Sequence, residues 1–119
     1  MYGFNYRPLN FPINREKMTK QIKQSDFLIV NDTHCMIGLQ YIKKEMDSPR
    51  IVFICIKPEF VFARNIATKY NKDFYYNKEL ANKLFYHYSV GDYLDNKYGF
   101  FEPIAKLYTR YYKKHNISY

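Results

Sequence analysis

Residues 25–39 read SDFLIVNDTHCMIGL, a stretch that decides the fold because it holds two apolar runs separated by four polar residues. The first run, residues 27–30, is short and β-prone. An Asn-Asp pair then opens the polar segment, and both residue types favour turns. A strand-like pattern resumes over residues 35–42. Two apolar runs this close together predict two strands that meet at a tight turn over residues 31–34.

The pattern downstream predicts alternating strands and helices. Residues 51–56 form a β-branched run without alternation, typical of a strand covered on both faces, and residues 73–76 indicate a short strand. Helical spacing predicts three helices in this part of the chain. One is opened by Pro58, one is capped by Asn77, and one spans about residues 100–114. With no repeat and no second domain, the order predicts an α/β fold: a small central mixed sheet of about four strands surrounded by helices.

The start of the chain differs from the rest. Residues 1–13 mix aromatic residues with two prolines and predict an irregular N-terminal segment. Asn14 is a suitable cap for a basic helix over residues 15–24. Only Met18 and Ile22 form an apolar stripe on this helix, so we expect it to be weakly attached, or packed on a partner outside this chain.

The charge balance is basic, at +8 for 119 residues, and favours acidic partners such as nucleic acid, anionic lipid or an acidic protein surface. A coding-genome bias toward Lys, Asn, Tyr and Ile is the alternative, because it would produce much of this balance without any function. The charge and the 14 tyrosines leave a small basic nucleic-acid-binding protein as the alternative function. Against it, the basic residues are dispersed and no nucleic-acid motif is present, so we expect no nucleic acid as partner.

Two cysteines, Cys35 and Cys55, lie inside apolar runs and predict buried, reduced thiols in a reducing compartment. The longest apolar run, residues 51–56, is far shorter than the ~20 residues of a membrane-spanning helix. The N-terminus lacks the apolar stretch of a signal peptide, so we expect the chain as given to be soluble.

Few residue patterns indicate ordinary enzyme chemistry. The sequence has no phosphate-binding glycine loop, no HExxH motif and no Cys/His cluster, so we expect no cofactor and no metal. His34 precedes Cys35, but neighbours on a strand point to opposite faces, which argues against a Cys/His hydrolase. We expect Cys35 to react slowly with thiol reagents, and His87 and His115 to lie at the surface or an edge.

The blocks around Asn31-Asp32-Thr33-His34 resemble the C-terminal domain of the FlhB/YscU family, the export-switch proteins of flagella and virulence-type injectisomes. Family members carry Asn-Pro-Thr-His between a short apolar strand and a strand with a glycine and a tyrosine. Further blocks match in the same order over about residues 14–112: Ser48-Pro49-Arg50-Ile51-Val52, Ala63-Arg64-Asn65-Ile66-Ala67, Glu79-Leu80-Ala81-Asn82-Lys83-Leu84-Phe85, and Phe101-Glu102-Pro103-Ile104-Ala105-Lys106-Leu107.

The resemblance implies self-cleavage between the first two residues of the motif. The Asn31 side-chain nitrogen would attack its own main-chain carbonyl, close a succinimide and expel the next amine. Thr33 and His34 would be supporting residues, one orienting the turn and the other moving the proton. At most this is a single-turnover reaction, and the two fragments should stay together because both flanking strands belong to one sheet.

Asp32 stands where the family has proline. Proline has no backbone N–H, which blocks the competing attack of that nitrogen on the Asn side chain. Asp32 restores the N–H, adds a carboxylate beside the reaction centre and removes the fixed φ of proline. We therefore expect cleavage after Asn31 to be slow or absent.

The resemblance also divides the chain, with residues 14–24 as the end of a basic linker helix and residues 25–119 as a cytosolic export-switch domain. It implies a position at the cytoplasmic face of the bacterial inner membrane in full-length relatives. The implied partners are the export gate and other apparatus proteins, secretion substrates or chaperones, a needle-length regulator and, through basic charge, an anionic membrane surface.

Overall fold

A computed structural model describes residues 14–118 of the chain. The irregular segment expected over residues 1–13 lies outside these described residues. The elements run in the order α1 (Arg15–Gln24), β1 (Phe27–Asn31), β2 (Cys35–Gln40), β3 (Arg50–Ile56), a 3-10 turn (Lys57–Glu59), α2 (Phe60–Lys69), β4 (Asp73–Tyr76), α3 (Lys78–His87) and α4 (Phe101–Lys114).

One four-stranded sheet organises these elements, with the strand order β3-β2-β1-β4. β1 pairs antiparallel with β2 and parallel with β4, so the sheet is mixed. β2 pairs antiparallel with β3. The predicted α/β fold with four strands and surrounding helices is therefore confirmed.

Both faces of the sheet are buried, because a separate apolar cluster covers each. On one face, alternate β1 and β2 residues such as Phe27 and Ile37 pack with α3 and α4 residues that include Leu84 and Ile104. The other cluster combines Leu28, Val30, Met36 and Phe53 with residues of α1 and α2. Burial on two faces accounts for the apolar runs that do not alternate with polar residues.

Helix α1 is attached more firmly than its narrow stripe indicated. Ile22 is fully buried and Met18 is nearly so, in the cluster that also holds Phe53 and Ala63. The expectation of a weakly attached helix is therefore wrong, because two apolar side chains are enough when they enter a cluster closed by α2 and the sheet. The remaining α1 residues are half-buried or exposed.

The predicted caps are confirmed. The Asn14 side chain accepts a hydrogen bond of 2.9 Å from Lys17 N, and the Asn77 side chain accepts one of 3.1 Å from Leu80 N. Pro58 lies in the 3-10 turn that precedes α2, one turn earlier than the predicted helix position. That turn is closed by Glu59, whose carboxylate accepts a hydrogen bond from Ile56 N.

Gly38 permits a close approach across the sheet. A Cβ at this position would collide with the Ser25 hydroxyl and would lie 2.9 Å from Phe53 Cβ. Because residue 38 has no side chain, β2 can pass directly beneath Ser25 at the end of α1. The glycine therefore determines how closely α1 packs on the sheet. Among the helices of the described region, none is long and apolar enough to cross a membrane.

Candidate functional site at the β1–β2 turn

The four predicted site residues lie together where β1 turns into β2. Asn31 is the last residue of β1 and pairs with Cys35 at the start of β2, so residues 32–34 form the connection. His34 N donates a 3.0 Å hydrogen bond to Asn31 O, which closes the turn. His34 O accepts from Lys57 N at 3.0 Å, which ties the turn to the end of β3.

Asn31 is buried, with 3% of its surface exposed, yet both polar atoms of its side chain have partners. Its Oδ1 accepts hydrogen bonds from Thr33 N at 3.1 Å and from Thr33 Oγ1 at 2.9 Å. Its Nδ2 donates to Asn82 Oδ1 at 2.8 Å. A buried amide is tolerated at this position because these bonds offset the loss of water.

Asp32 and Thr33 are both exposed, so the middle of the turn faces solvent. Thr33 nevertheless holds the turn, because its N and Oγ1 both donate hydrogen bonds to Asn31 Oδ1. Asp32 follows Asn31 directly in the chain, and its side chain is exposed to water. The peptide bond between residues 31 and 32 therefore joins a fixed residue to an exposed one.

The side chain of His34 packs against helix α3. Its ring lies edge-on to Phe85 with centroids 4.7 Å apart, and 6.4 Å from the Tyr86 ring. The Nδ1 atom is buried without a hydrogen-bond partner among the described residues. The hydrogen bond from His34 to Asn31 O comes from the His34 backbone N–H and not from the ring.

Helix α3 contributes residues that sequence reasoning missed. β4 runs parallel to β1, and Asn77 N donates to Val30 O at 3.1 Å, so α3 begins beside the end of β1. Asn82 and Phe85 are three residues apart on α3 and therefore lie on neighbouring positions of its surface. No local pattern identifies Asn82, because its contact with Asn31 spans 51 residues of sequence.

The cysteines do not form a nucleophilic site. Cys35 and Cys55 are free and buried, as predicted. Burial raises the pKa of Cys35 to about 11 and that of Cys55 to about 12, so neither thiol ionises readily. Cys35 Sγ lies 3.7 Å from Ala81 O on α3, on the side of the sheet covered by that helix. The Cys/His hydrolase interpretation therefore has no accessible thiolate.

The other two histidines, His87 and His115, contact neighbouring side chains at the protein surface. His87 is exposed and stacks on Tyr98 with ring centroids 3.9 Å apart. His115 Nε2 lies 2.7 Å from an oxygen of Asp73. Within residues 14–118, no group of three or more His, Cys, Asp and Glu side chains is arranged to hold a metal ion.

Comparisons with known proteins identify one family. The sequence profile described as the FlhB HrpN YscU SpaS family matches residues 5–110. The chain is 25% identical over 101 residues to the flagellar biosynthetic protein FlhB of Buchnera aphidicola subsp. Baizongia pistaciae, covering 85% of this chain and 26% of that protein. It is 27% identical over 97 residues to FlhB of Bacillus subtilis, covering 82% and 26%. The chain thus spans about a quarter of these curated relatives.

Solved structures show the same fold. The EscU C-terminal domain with a proline-to-alanine substitution matches with a TM-score of 0.71 and 26% identity, over 78% of this chain and 90% of that one. The cytoplasmic domain of FlhB from Shewanella putrefaciens matches with a TM-score of 0.72 and 18% identity, over 87% and 81%. Because the profile covers most of the chain, this chain belongs to the FlhB/HrpN/YscU/SpaS family of flagellar and type III export-apparatus components.

Proposed function

We propose that this chain is the cytosolic part of an export-apparatus component that takes part in substrate-specificity switching. We place its self-cleavage site at the peptide bond after Asn31. The observation that carries the proposal is the turn itself: a buried asparagine at the end of β1, whose main-chain carbonyl accepts a hydrogen bond from His34 N inside the turn. Solved EscU domains carry substitutions at an asparagine and at the proline that follows it, which shows that such a pair was targeted in that protein.

The reaction needs no cofactor. Asn31 Nδ2 attacks the Asn31 carbonyl carbon, a new C–N bond closes the succinimide, and the bond to Asp32 N breaks. The proton leaves Nδ2 and reaches the departing amine. The carbonyl oxygen becomes negative in between, and His34 N already donates to it at 3.0 Å, so the turn supplies one oxyanion donor.

Asp32 makes this reaction slow in our proposal. Without proline, the residue after Asn31 is free to vary its φ, and its N–H offers a competing nucleophile. The Asp32 carboxylate also places negative charge beside a centre that becomes negative in the transition state. The loss of turn rigidity and the added charge raise the barrier to cleavage, while the competing nucleophile diverts Asn31 into deamidation.

The fragments should remain one folded body after a cut. β1 and β2 pair along their whole length, from Phe27 opposite Leu39 to Asn31 opposite Cys35. β1 also pairs with β4, which belongs to the second fragment. A cut would therefore release the turn rather than the strands, and this is the kind of local change that alters a binding surface.

Partners are proposed from the surface. An apolar groove of about 340 Å³ lies between the loop before β3 and helix α4, and is lined by residues that include Tyr41, Pro49, Ile104 and Tyr108. Such a groove suits apolar segments of secretion substrates, chaperones or a needle-length regulator. On α1, Arg15, Lys20 and Lys23 line an exposed basic surface, which suits an anionic membrane at the cytoplasmic face.

The test is a time course on the purified chain at neutral pH, read by intact mass and N-terminal sequencing. The proposal predicts slow or undetectable formation of a fragment that begins at Asp32, and none in an Asn31→Ala variant. Rapid, complete conversion of the native chain would contradict the proposed role of Asp32. Fragmentation that persists unchanged in Asn31→Ala would contradict the role of Asn31.

A further inference from the structure

We propose that Asn82 is a positioning residue that holds Asn31 in its uncut conformation, so that the contact between the β1–β2 turn and α3 controls the rate of self-cleavage. The inference rests on the proposed function, because it concerns the reactivity of the same Asn31 amide. Its structural basis is the 2.8 Å hydrogen bond from Asn31 Nδ2 to Asn82 Oδ1, at a position where Asn31 is almost fully buried.

The orientation of the Asn31 amide is settled by its neighbours. A backbone N–H can only donate, so Thr33 N requires an oxygen at 3.1 Å, and that oxygen is Asn31 Oδ1. The nitrogen must then face the other way, toward α3. Asn82 Oδ1 is the acceptor that meets it there. The pair therefore fixes which atom of the amide faces the turn.

This orientation opposes the cleavage reaction. To attack the Asn31 carbonyl carbon, Nδ2 has to leave Asn82, and Oδ1 has to give up its two bonds from Thr33. While Oδ1 accepts two hydrogen bonds, electron density moves from Nδ2 toward the oxygen, which weakens the nitrogen as a nucleophile. The neutral oxygen of Asn82 is too weak a base to remove a proton from Asn31 Nδ2. The hydrogen bond therefore holds Nδ2 in place and does not make it a stronger nucleophile.

The position of this contact in the fold makes it a control point for the turn. Asn82 is half-buried on α3, the helix that also carries Phe85 against the ring of His34. A small displacement of α3 would release the Asn31 amide and the His34 ring together. Any partner that moves this helix would thereby change the reactivity of the turn without touching residues 31–34.

The experiment uses the full chain with Asp32→Pro, which restores the proline that the native turn lacks and should make cleavage fast enough to time. Asn82→Ala in this background removes the acceptor. Cleavage should then accelerate by roughly two- to ten-fold, the factor that corresponds to one buried hydrogen bond. Asn65→Ala, an identical change at an exposed position of α2, is the matched control and should leave the rate unchanged.

An NMR measurement distinguishes the loss of the hydrogen bond between Asn31 and Asn82 from a general loss of protein stability. In the native background, the Asn31 side-chain amide protons should exchange slowly with solvent by NMR, and faster in Asn82→Ala. Asn82→Asp keeps an acceptor at the same place and should restore slow exchange. A cleavage rate that is unchanged or slower in the Asp32→Pro, Asn82→Ala double variant would overturn the proposal.

The two proposals can fail separately. If the Asp32→Pro chain is never cut, the cleavage chemistry proposed above is wrong. The positioning contact is then decided by the NMR measurement alone: faster exchange of the Asn31 amide in Asn82→Ala supports it, and unchanged exchange overturns it.

Discussion

At the scale of single residues, the four residues of the β1–β2 turn, Asn31, Asp32, Thr33 and His34, have unlike surroundings. Their burial differs sharply, with Asn31 inside and Asp32 in solvent. The burial of Asn31 involves α3, which begins beside the end of β1 because β4 pairs in parallel with β1. No spacing rule in the sequence encodes such a contact.

The thiols give a residue-scale prediction. Cys35 and Cys55 should react slowly with a chromogenic disulfide reagent in the folded protein, because both are buried and burial raises the pKa of Cys35 to about 11. At pH 8 only about one Cys35 thiol in a thousand would be ionised. Adding denaturant should release both thiols at once. Fast reaction of one thiol under native conditions would instead support a nucleophilic cysteine.

At the scale of elements, local patterns predicted the helices and strands well because they depend on short-range signals. Caps at Asn14 and Asn77 and the apolar run in β3 are examples. The firm attachment of α1 was missed, because it depends on a cluster built from α2 and the sheet. The packing of α4 could not be predicted from local patterns either. Two side-chain hydrogen bonds anchor this helix, from Tyr108 to Asp26 and from Lys114 to Asp73, and each joins residues more than 40 positions apart.

One of these anchors is a hydrogen bond to a half-buried carboxylate. Asp26 Oδ2 accepts from Tyr108 OH of α4 and from Tyr41 N at the end of β2, each at 2.8 Å. Tyr108→Phe should lower the free energy of unfolding by about 1.5–3 kcal/mol, the range for hydrogen bonds to charged groups. Chemical denaturation measures the loss. Tyr76→Phe removes a hydroxyl from an exposed side chain and should be nearly neutral.

The second anchor predicts a pH dependence. Burial raises the pKa of Asp73, but hydrogen bonds from Lys114 and His115 outweigh it, so the pKa lies below the ordinary value of 3.8. A carboxyl with a lowered folded-state pKa contributes stability above its unfolded pKa, and loses it as the pH falls through the folded value. Asp73→Asn should therefore lower the melting temperature at pH 7.

The difference between native protein and Asp73→Asn should disappear in acid, below the folded pKa of Asp73, where the native carboxyl is protonated too. Asp47→Asn is the control, since Asp47 is exposed in the loop before β3. An Asp73→Asn effect that is the same size at pH 7 and in acid would show that the side-chain charge does not matter.

At the scale of the whole molecule, the sequence predicts the net charge of +8 and a basic helix over residues 15–24, but not which surface of that helix is exposed. Helix α1 carries Arg15, Lys20 and Lys23 on an exposed surface, while its apolar residues are buried against the sheet. Each basic residue near an anionic membrane contributes about 1 kcal/mol of attraction, which salt screens. The chain should therefore bind vesicles rich in anionic lipid, and release them as salt increases.

A charge-matched comparison tests this placement by vesicle co-sedimentation. Replacing Arg15, Lys20 and Lys23 with alanine should weaken binding strongly. Replacing Lys57, Lys78 and Lys106, which are exposed on other elements, changes the net charge equally and should weaken it less. Equal losses in the two triple variants would show that net charge alone drives binding, and that α1 is not the membrane-facing element.

The central claim is that the turn after Asn31 is a self-cleavage site slowed by Asp32. The most direct measurement compares the native chain with Asp32→Pro at neutral pH, by intact mass over time. Asp32→Pro should form the fragment beginning at residue 32 at least roughly ten-fold faster, a barrier decrease of about 1.4 kcal/mol or more. Its two fragments should co-elute as one folded species. Equal rates in the two chains, or no cleavage in either, would contradict the account.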